Sequence, residues 1–281
     1  MIGTKTNKTY KCGLWPYALF ILVAIGFTAC NKDFEDKHEF NNTKDTLLEA
    51  SSSKVLYIIL DGARGKSIEA SMAPNLTKIK ANANYAYQSV SDDSGLDATT
   101  WADMLTGVNK VKHQITTSNF TGNQLANYPM FFKRIKDNTS LRTAAFAAST
   151  RLSQNLVSNA DVNLAFNDND AAVKTAVVDE LKRDDAAVVL AEFNSIEKAG
   201  NQYGYDNVVP QYKSAILNVD GYIGELMAQL KSRKNYKNEN WLVIIASNQG
   251  GNYAVDPADN DGTLFSKPLL ISYILFYNPK F

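Results

Sequence analysis

The chain is poor in histidine and cysteine, the side chains that most often bind transition metals in proteins. It contains two of each among 281 residues. His38 lies in a polar N-terminal segment, so His113 is the only imidazole in the rest of the chain. Cys12 and Cys30 both lie near the N-terminus, which leaves no cysteine pair for a disulfide or a thiolate metal site in a later domain.

An excess of charge of either sign is also absent. Lys and Arg together number 29, as do Asp and Glu, so the formal net charge is zero. A neutral chain offers no extended basic surface, and we therefore expect no nucleic-acid partner. Hydrophobic residues make up 45% of the chain, which is enough for one large core or two small ones.

The N-terminus has the pattern of an export signal. Lys5, Lys8 and Lys11 precede an apolar segment, 14–27, that is short for a membrane span, and two small residues then precede Cys30. This pattern resembles a bacterial lipoprotein signal, with 1–29 removed and lipid attached to the Cys30 thiol. Phe27 departs from the more usual leucine, and a plain secretory peptide or an uncleaved anchor is the alternative.

Residues 30–53 are rich in Asn, Asp, Glu, Lys and Ser, and we predict a disordered tether. The acidic cluster at 32–37 resembles the export signal of surface-exposed lipoproteins in Bacteroidetes, although a solvated linker would have a similar composition. The resemblance implies a protein of the outer membrane that faces the cell exterior. Its membrane partner would then be reached through the lipid at Cys30.

The chain is organised around the unbroken apolar run at 55–60, which is followed by Asp61-Gly62. Such a run is typical of a strand buried on both faces of a parallel sheet. The Asp61 carboxylate would then lie at the carboxyl end of the strand, where open α/β sheets bind their ligands. The alternative is a buried strand that ends in an ordinary Asp-Gly turn.

Further apolar runs alternate with helical patterns along the chain. We predict strands at 85–90, 143–148, 187–193, 241–246 and 269–277, of which 187–193 is interpreted as another unbroken apolar run. We predict helices at 74–79, 97–105, 125–136, 170–183 and 210–233. The alternation indicates an α/β fold with a doubly wound, mostly parallel sheet and helices on both faces. No linker divides 54–281, which we interpret as one domain.

Four segments together resemble the alkaline phosphatase superfamily, in particular its type I phosphodiesterase/nucleotide pyrophosphatase branch. They are 55–62 with Ala-Pro-Asn-Leu at 73–76, Leu-Thr-Gly at 105–107 with His-Gln-Ile at 113–115, 197–204, and 242–250. Val219-Asp220 and Ile223-Gly224 also fit the family pattern. The resemblance implies two metal ions, usually zinc, held by Asp and His, and a Thr, Ser or Cys that attacks phosphorus or sulfur.

The family's site positions carry altered residues in this chain. Asp61 matches the first metal-binding carboxylate, Asp97 stands at the nucleophile position, Glu197 replaces Asp, Asn201 replaces His, and Asn248 and Gln249 replace Asp-His. Amides are poor zinc ligands, whereas their carbonyl oxygens suit harder ions. His113 matches a family position that does not bind metal. We therefore expect no bound cofactor, with a single hard cation such as calcium as the remaining option.

Nucleophiles other than the family's own receive little support from the sequence. A carboxylate at Asp97 could attack phosphorus, as aspartyl-phosphate enzymes do, but no activating Lys or Arg motif accompanies it. Thr99 or Thr100 could serve only if the alignment register shifted, and we otherwise expect both on the helix surface.

The leading hypothesis is a non-catalytic surface lipoprotein whose former cleft is vestigial or binds a ligand, such as a glycan or a small phosphoester. Acids and amides in that cleft would hydrogen-bond a sugar or hold a hard cation. The rival is an active hydrolase of phosphate or sulfate esters with a reduced metal site. A third reading is that a C-terminal segment beyond residue 281 is missing.

Overall fold

The computed structural model describes residues 52–92, 95–255 and 257–280. All of them belong to one compact unit. The predicted signal peptide, Cys30 and His38, and the tether up to residue 51, lie outside the described residues. Ser52 and Ser53, which the sequence assigned to the tether, form the start of the first strand instead.

Seven strands form one mixed sheet, as the apolar runs predicted. They are β1 (Ser52–Leu60), β2 (Ala83–Val90), β3 (Arg142–Ala147), β4 (Val162–Ala165), β5 (Ala186–Phe193), β6 (Glu239–Ala246) and β7 (Ile271–Tyr277). Their spatial order is β2-β7-β6-β1-β5-β3-β4. β1 pairs in parallel with β5 and β6, and only β7 runs antiparallel to its neighbours. The doubly wound, mostly parallel sheet is confirmed.

Nine α-helices occur among the described residues. They are α1 (Gly65–Ser71), α2 (Pro74–Lys80), α3 (Asp97–Thr106), α4 (Lys110–His113), α5 (Phe131–Asn138), α6 (Thr150–Leu156), α7 (Asp170–Leu181), α8 (Ser195–Tyr203) and α9 (Pro210–Lys231). None of the helices in the described part of the chain combines the length and apolarity that a membrane crossing needs. The sequence did not predict α1, α4, α6, α8 or β4.

Alternation along β1 divides the apolar residues between two cores. Leu56, Ile58 and Leu60 pack into a cluster with buried residues of α2, α7 and α9. Ile59 packs on the opposite face with α3 and α6. Because both faces of β1 are covered, the strand has the unbroken apolar sequence that predicted it.

The predicted helix at 125–136 is wrong in its first half, because α5 begins at Phe131. The backbone N–H groups of Asn127 and Tyr128 both donate to the Gln124 carbonyl in a tight turn. Pro129 follows, has no N–H to donate and disfavours a helical conformation in the residue before it. The apolar residues of this stretch therefore keep a helical spacing although a turn, and not a helix, precedes Phe131.

Two segments that carried the family resemblance bind each other directly. Asp220 of α9 is buried, and its carboxylate accepts the backbone N–H groups of Asn75 at 3.0 Å and Leu76 at 2.7 Å. The Asn75 side chain also donates to Asp220 Oδ2 at 2.9 Å. Asp220 thus supplies acceptors for the first turn of α2, whose N–H groups have no partner within the helix.

Buried charges lie at the amino ends of the central strands. Glu239 accepts hydrogen bonds from Lys54 at 2.8 Å, from Arg233 at 2.7 Å and from the Trp241 indole at 2.8 Å. Burial acts to raise the pKa of Glu239, but the hydrogen bonds from Arg233 and Lys54 outweigh it and hold that pKa at about 2. Each buried charge is therefore paired, as an apolar interior requires.

Candidate functional site

The predicted site residues meet at the carboxyl ends of β1, β5 and β6. Asp61 follows β1, and Asn248 and Gln249 follow β6, which is the neighbour of β1. Asp97 is the first residue of α3, and Glu197 and Asn201 lie one turn apart on α8. Residues distant in sequence are thus assembled where an α/β sheet usually binds its ligand.

Asn248 connects Asp61's turn to Asp97. Its Oδ1 accepts the Gly62 backbone N–H at 2.9 Å, and its Nδ2 donates to Asp97 Oδ1 at 3.0 Å. The backbone donor fixes the amide orientation, because only the oxygen of Asn248 can accept that N–H. Asn248 therefore presents an N–H donor, rather than a metal-binding oxygen, to Asp97.

Gln249 bridges two carboxylates. Its Nε2 donates to Asp97 Oδ1 at 2.7 Å and to Glu197 Oε1 at 2.9 Å. Burial, followed by the nearby charge of Asp97, raises the pKa of Glu197 to about 8. The position that the family fills with histidine thus holds an amide that ties two acids together.

Gly62 permits the close approach of α8. Its φ of +65° lies in the left-handed region, and a Cβ at this position would lie 2.7 Å from the Glu197 Cα. Any larger residue would therefore strain the backbone and push α8, with Glu197, away from β1.

A second pair of acids lies beneath the first. Asp61 and Glu192, both fully buried, are in side-chain hydrogen-bonding contact. The Trp101 indole donates to Asp61 Oδ1 at 2.8 Å, and the Ser149 backbone N–H donates to Glu192 Oε2 at 2.8 Å. The remaining oxygens, Asp61 Oδ2 and Glu192 Oε1, receive no hydrogen bond from an N–H or O–H group of the described residues. A proton held between the two carboxyls would satisfy both.

The protonation of this pair follows from its burial. Desolvation, and then the neighbouring Glu192 carboxyl, raise the pKa of Asp61 well above its ordinary value. Desolvation also raises the pKa of Glu192 to about 7. Two carboxylates in contact cannot both ionise cheaply in a dry site, so the pair holds at least one proton near neutral pH.

Asn201 lies at the edge of the site. Its Oδ1 accepts the Tyr205 hydroxyl at 2.8 Å, and it makes no hydrogen bond to Asp97 or Glu197. Two cavities of about 420 and 450 Å³ open here, and Asp97, Arg151, Glu197 and Asn201 line both. We refer to these two cavities together as the cleft.

Arg151 supplies the cation nearest to Asp97. Its guanidinium lies 3.5 Å from Asp97 Oδ2 and 5.8 Å from the centre of the Trp101 ring. The side chain is half exposed, so it can reach a group bound in the cleft.

The donor set does not fit two zinc ions. Amide N–H groups point at Asp97 and Glu197, the carboxylates that would otherwise bind metal, and a cation cannot share that position. Among the described residues no three His, Cys, Asp or Glu side chains are arranged around a common metal position. His113 lies elsewhere, bonded to Asp103 through Nε2 at 2.7 Å.

Sequence reasoning missed Glu192, Trp101 and Arg151. The interpretation of 187–193 as unbroken and apolar was wrong, since Glu192 is a carboxyl within it and is completely buried. A lone acid in an apolar strand was the available signal. The surface placement of Thr99 and Thr100 was also wrong: both are buried, and Thr99 donates to the Ile115 carbonyl at 2.8 Å.

Comparison with known sequences and structures identifies the family and the fold of the chain. The sequence profile of the type I phosphodiesterase / nucleotide pyrophosphatase family matches residues 55–260. The chain belongs to this family. Its members are typically metal-dependent. A search of curated protein sequences finds no significant match to the chain.

Solved structures show that the phosphodiesterase-family chain shares the alkaline phosphatase-like fold. Murine ectonucleotide pyrophosphatase / phosphodiesterase 5 matches with a TM-score of 0.57 and 16% identity over 70% of this chain. BT1596, a 2-O GAG sulfatase, matches with a TM-score of 0.62 and 11% identity, covering 82% of this chain and 65% of its own. The periplasmic domain of phosphoethanolamine transferase EptC from Campylobacter jejuni matches with a TM-score of 0.55 and 12% identity, covering 82% and 81%. The phosphodiesterase-family chain spans 57% of the length of the murine protein.

Proposed function

We propose that this phosphodiesterase-family protein is a non-catalytic lipoprotein of the cell surface, whose former active-site cleft is vestigial or binds a ligand such as a glycan. The observation that carries the proposal is the double hydrogen bond from Gln249 Nε2 to Asp97 and Glu197. An amide there compensates the two acids in the way that a cation would in a metal-dependent relative.

The proposal also accounts for the substituted nucleophile position. Asp97 Oδ1 accepts two amide N–H groups, from Asn248 and Gln249. Hydrogen bonds of this kind stabilise a carboxylate and reduce its reactivity as a nucleophile. Asp97 is therefore suited to holding the cleft together rather than to attacking phosphorus or sulfur.

The polar groups of the cleft support a glycan as its ligand. Asn201, Arg151 and Asp97, which line the cleft, offer donors and acceptors for sugar hydroxyl groups. The fold similarity to BT1596, a 2-O GAG sulfatase, adds associational support. The Arg151 guanidinium also suits a small phosphoester, which is the other ligand of this proposal.

An activity assay tests the non-catalytic proposal. The full-length protein, purified in detergent, is assayed on bis(p-nitrophenyl) phosphate and p-nitrophenyl sulfate with zinc, with calcium and with chelator. We expect rates equal to the protein-free control in every case. Turnover that requires a metal and is lost on chelation would overturn the proposal.

The alternative is an active hydrolase of phosphate or sulfate esters that uses a reduced metal site. The observation in its favour is Arg151, a half-exposed cation beside Asp97 that could face a phosphoryl or sulfuryl group. In this case Arg151→Ala should reduce turnover sharply, whereas Arg134→Ala, which removes a cation on α5 outside the cleft lining, should not.

The cell-surface part of the proposal rests on the sequence before residue 54. The protein would reach the outer membrane through lipid at Cys30 and would require no nucleic-acid partner. Protease treatment of intact cells, with detection of the folded domain, tests the exposure. Protection in intact cells but not in lysed cells would contradict surface exposure.

A further inference from the structure

A cavity outside the cleft adjoins helix α3. It has a volume of about 610 Å³ and lies between α3, the end of β2 and the adjoining parts of β6 and β7. We call it the α3 cavity. Of the residues at the family's site positions, only Asn248 also lines it. Its volume falls within the range of small-molecule sites, about 300–1,000 Å³.

The α3 cavity has acidic side chains but no basic ones. Asp92 and Asp103 line it, whereas no Lys, Arg or His is among the described lining residues. Asp92 is already compensated, because Lys110 Nζ lies 2.8 Å from it. The charge of Asp103 therefore decides which ligands the cavity can accept.

The His113 imidazole gives Asp103 no compensating charge. Its Nδ1 accepts the Ile115 backbone N–H at 3.0 Å, so the ring proton lies on Nε2 and is donated to Asp103 Oδ1 at 2.7 Å. Burial lowers the pKa of His113, which keeps the ring neutral. Asp103 lines the cavity, and its buried Oδ2 has no hydrogen-bond partner among the described residues.

Uncommitted polar groups complete the lining. Three polar side-chain groups of the lining form no hydrogen bond with another described side chain: the hydroxyl groups of Tyr57 and Ser89 and the amide of Asn109. Met104, Val108 and Ile274 add apolar surface beside them. Free donors and acceptors next to an apolar wall match a sugar ring, which carries hydroxyl groups on its edge and C–H groups on its faces.

We propose that the α3 cavity is a second ligand site, which takes an uncharged or basic sugar of mono- or disaccharide size. Asp103 would accept a hydroxyl or ammonium hydrogen of the ligand after a small side-chain rotation. At a pH above the raised pKa of Asp103, about 7, an anionic ligand such as a phosphate or a uronic acid would meet two carboxylates and no cation among the described lining residues. This inference does not rest on the function proposed for the cleft.

The test is ligand-observed NMR and calorimetric titration of the purified full-length protein. The probes are N-acetylglucosamine, glucosamine, glucuronic acid and inorganic phosphate. We expect saturable binding of the first two, with glucosamine at least as tight, and binding at least tenfold weaker for the two anions. No saturable binding of either sugar, or equal binding of glucuronic acid and glucosamine, would overturn the proposal.

Variants locate the binding. Ser89→Trp fills the cavity from a half-buried strand position and should weaken binding at least tenfold, while Gln88→Trp on the same strand lies outside the lining and should bind normally. Val108→Trp repeats the test from the other wall if Ser89→Trp does not fold. A folded cavity-filling variant with normal sugar binding, or a loss of binding in Gln88→Trp as large as in Ser89→Trp, would refute this site.

Discussion

Asp61 and Glu192 bury their carboxyl groups against each other at the carboxyl ends of the adjacent parallel strands β1 and β5. With Asp97 and Glu197 they place four acids in one region. Amide hydrogen bonds stabilise Asp97 and Glu197, and bound protons reduce the charge of Asp61 and Glu192. The pH dependence of stability is therefore the most direct readout of the site.

We predict that the protein loses stability as the pH rises from about 4.5, the ordinary pKa of a glutamate, to about 8. The pKa of Glu192 is raised to about 7 and that of Glu197 to about 8, so the folded protein holds protons that the unfolded chain releases at lower pH. This contribution is fully present below the unfolded pKa and is lost as pH rises through the folded pKa. The slope is at most about 1.4 kcal/mol per pH unit for each proton. Thermal melts across this range measure it.

Glu192→Gln is the matched variant for that experiment. Its amide can donate to Asp61 Oδ2 while its oxygen still accepts the Ser149 N–H, so no proton is needed. We expect a higher melting temperature than wild type at pH 9 and a shallower decline. Asp103, whose pKa is raised to about 7 by burial, retains its part of the slope in both proteins. An unchanged slope in Glu192→Gln would contradict the shared proton.

Gln249→Leu should destabilise the protein by about 1–3 kcal/mol, the typical cost of leaving a buried polar group unpaired. The substitution removes the donor between Asp97 and Glu197 and leaves the two acids facing each other. The loss should be larger at pH 9 than at pH 6, because Glu197 is ionised only at the higher pH. Denaturant unfolding at both pH values measures it, with Gln88→Leu on exposed β2 as the control.

Restoring the family residues should create zinc binding, which we expect the natural chain to lack. The variant combines Asp97→Thr, Glu197→Asp, Asn201→His, Asn248→Asp and Gln249→His. Metal analysis after dialysis should find well under one zinc per chain in wild type and more in the variant. Loosely supported ligands typically cost one to two orders of magnitude in metal affinity, so uptake should rise before catalysis does. Two equivalents retained by wild type would contradict our account of the site.

Asp220→Ala should cost about 2–4 kcal/mol, because it leaves the buried N–H groups of Asn75 and Leu76 without their acceptor. Asp220→Asn keeps one acceptor oxygen and should lose less. Urea unfolding of the three proteins gives the order. A loss in Asp220→Asn as large as in Asp220→Ala would show that the charge, not the acceptor geometry, stabilises α2.

Cys30→Ala should leave an unprocessed precursor that takes up no labelled palmitate. Wild type and a Cys12→Ala control should both be labelled, because Cys12 lies in the segment predicted to be removed. Processing and membrane attachment of Cys30→Ala like those of wild type would show that 1–30 is not a lipoprotein signal.

The sheet could be predicted because its central strands are covered on both faces and are therefore apolar throughout. β1 and β6 followed directly from that pattern. Glu192 was missed because an analysis of apolar periodicity averages over a single polar residue. The role of its carboxyl becomes visible only when the structure places it beside Asp61. The turn before α5 was missed because apolar spacing alone does not register the backbone bonds to Gln124.

The motif positions predicted which residues share the cleft but not what they do there. Asn248 and Gln249 were identified as lost metal ligands. Their hydrogen bonds to Asp97 depend on side-chain direction, which the sequence does not contain. Trp101 lies within the predicted helix 97–105, but the hydrogen bond from its indole N–H to Asp61 is visible only in the structure.

The position of β1 has a mechanical consequence. The N-terminal segment joins the domain at Ser52, at the amino end of the central strand, and β5 and β6 flank that strand on both sides. A pull on that segment acts along the strand axis and shears both ladders of hydrogen bonds at once, instead of peeling them open one by one. The Lys54–Glu239 ion pair lies at the point where the load enters. A domain joined in this way resists unfolding under load, and force reaches Asp61 only after crossing the full length of β1.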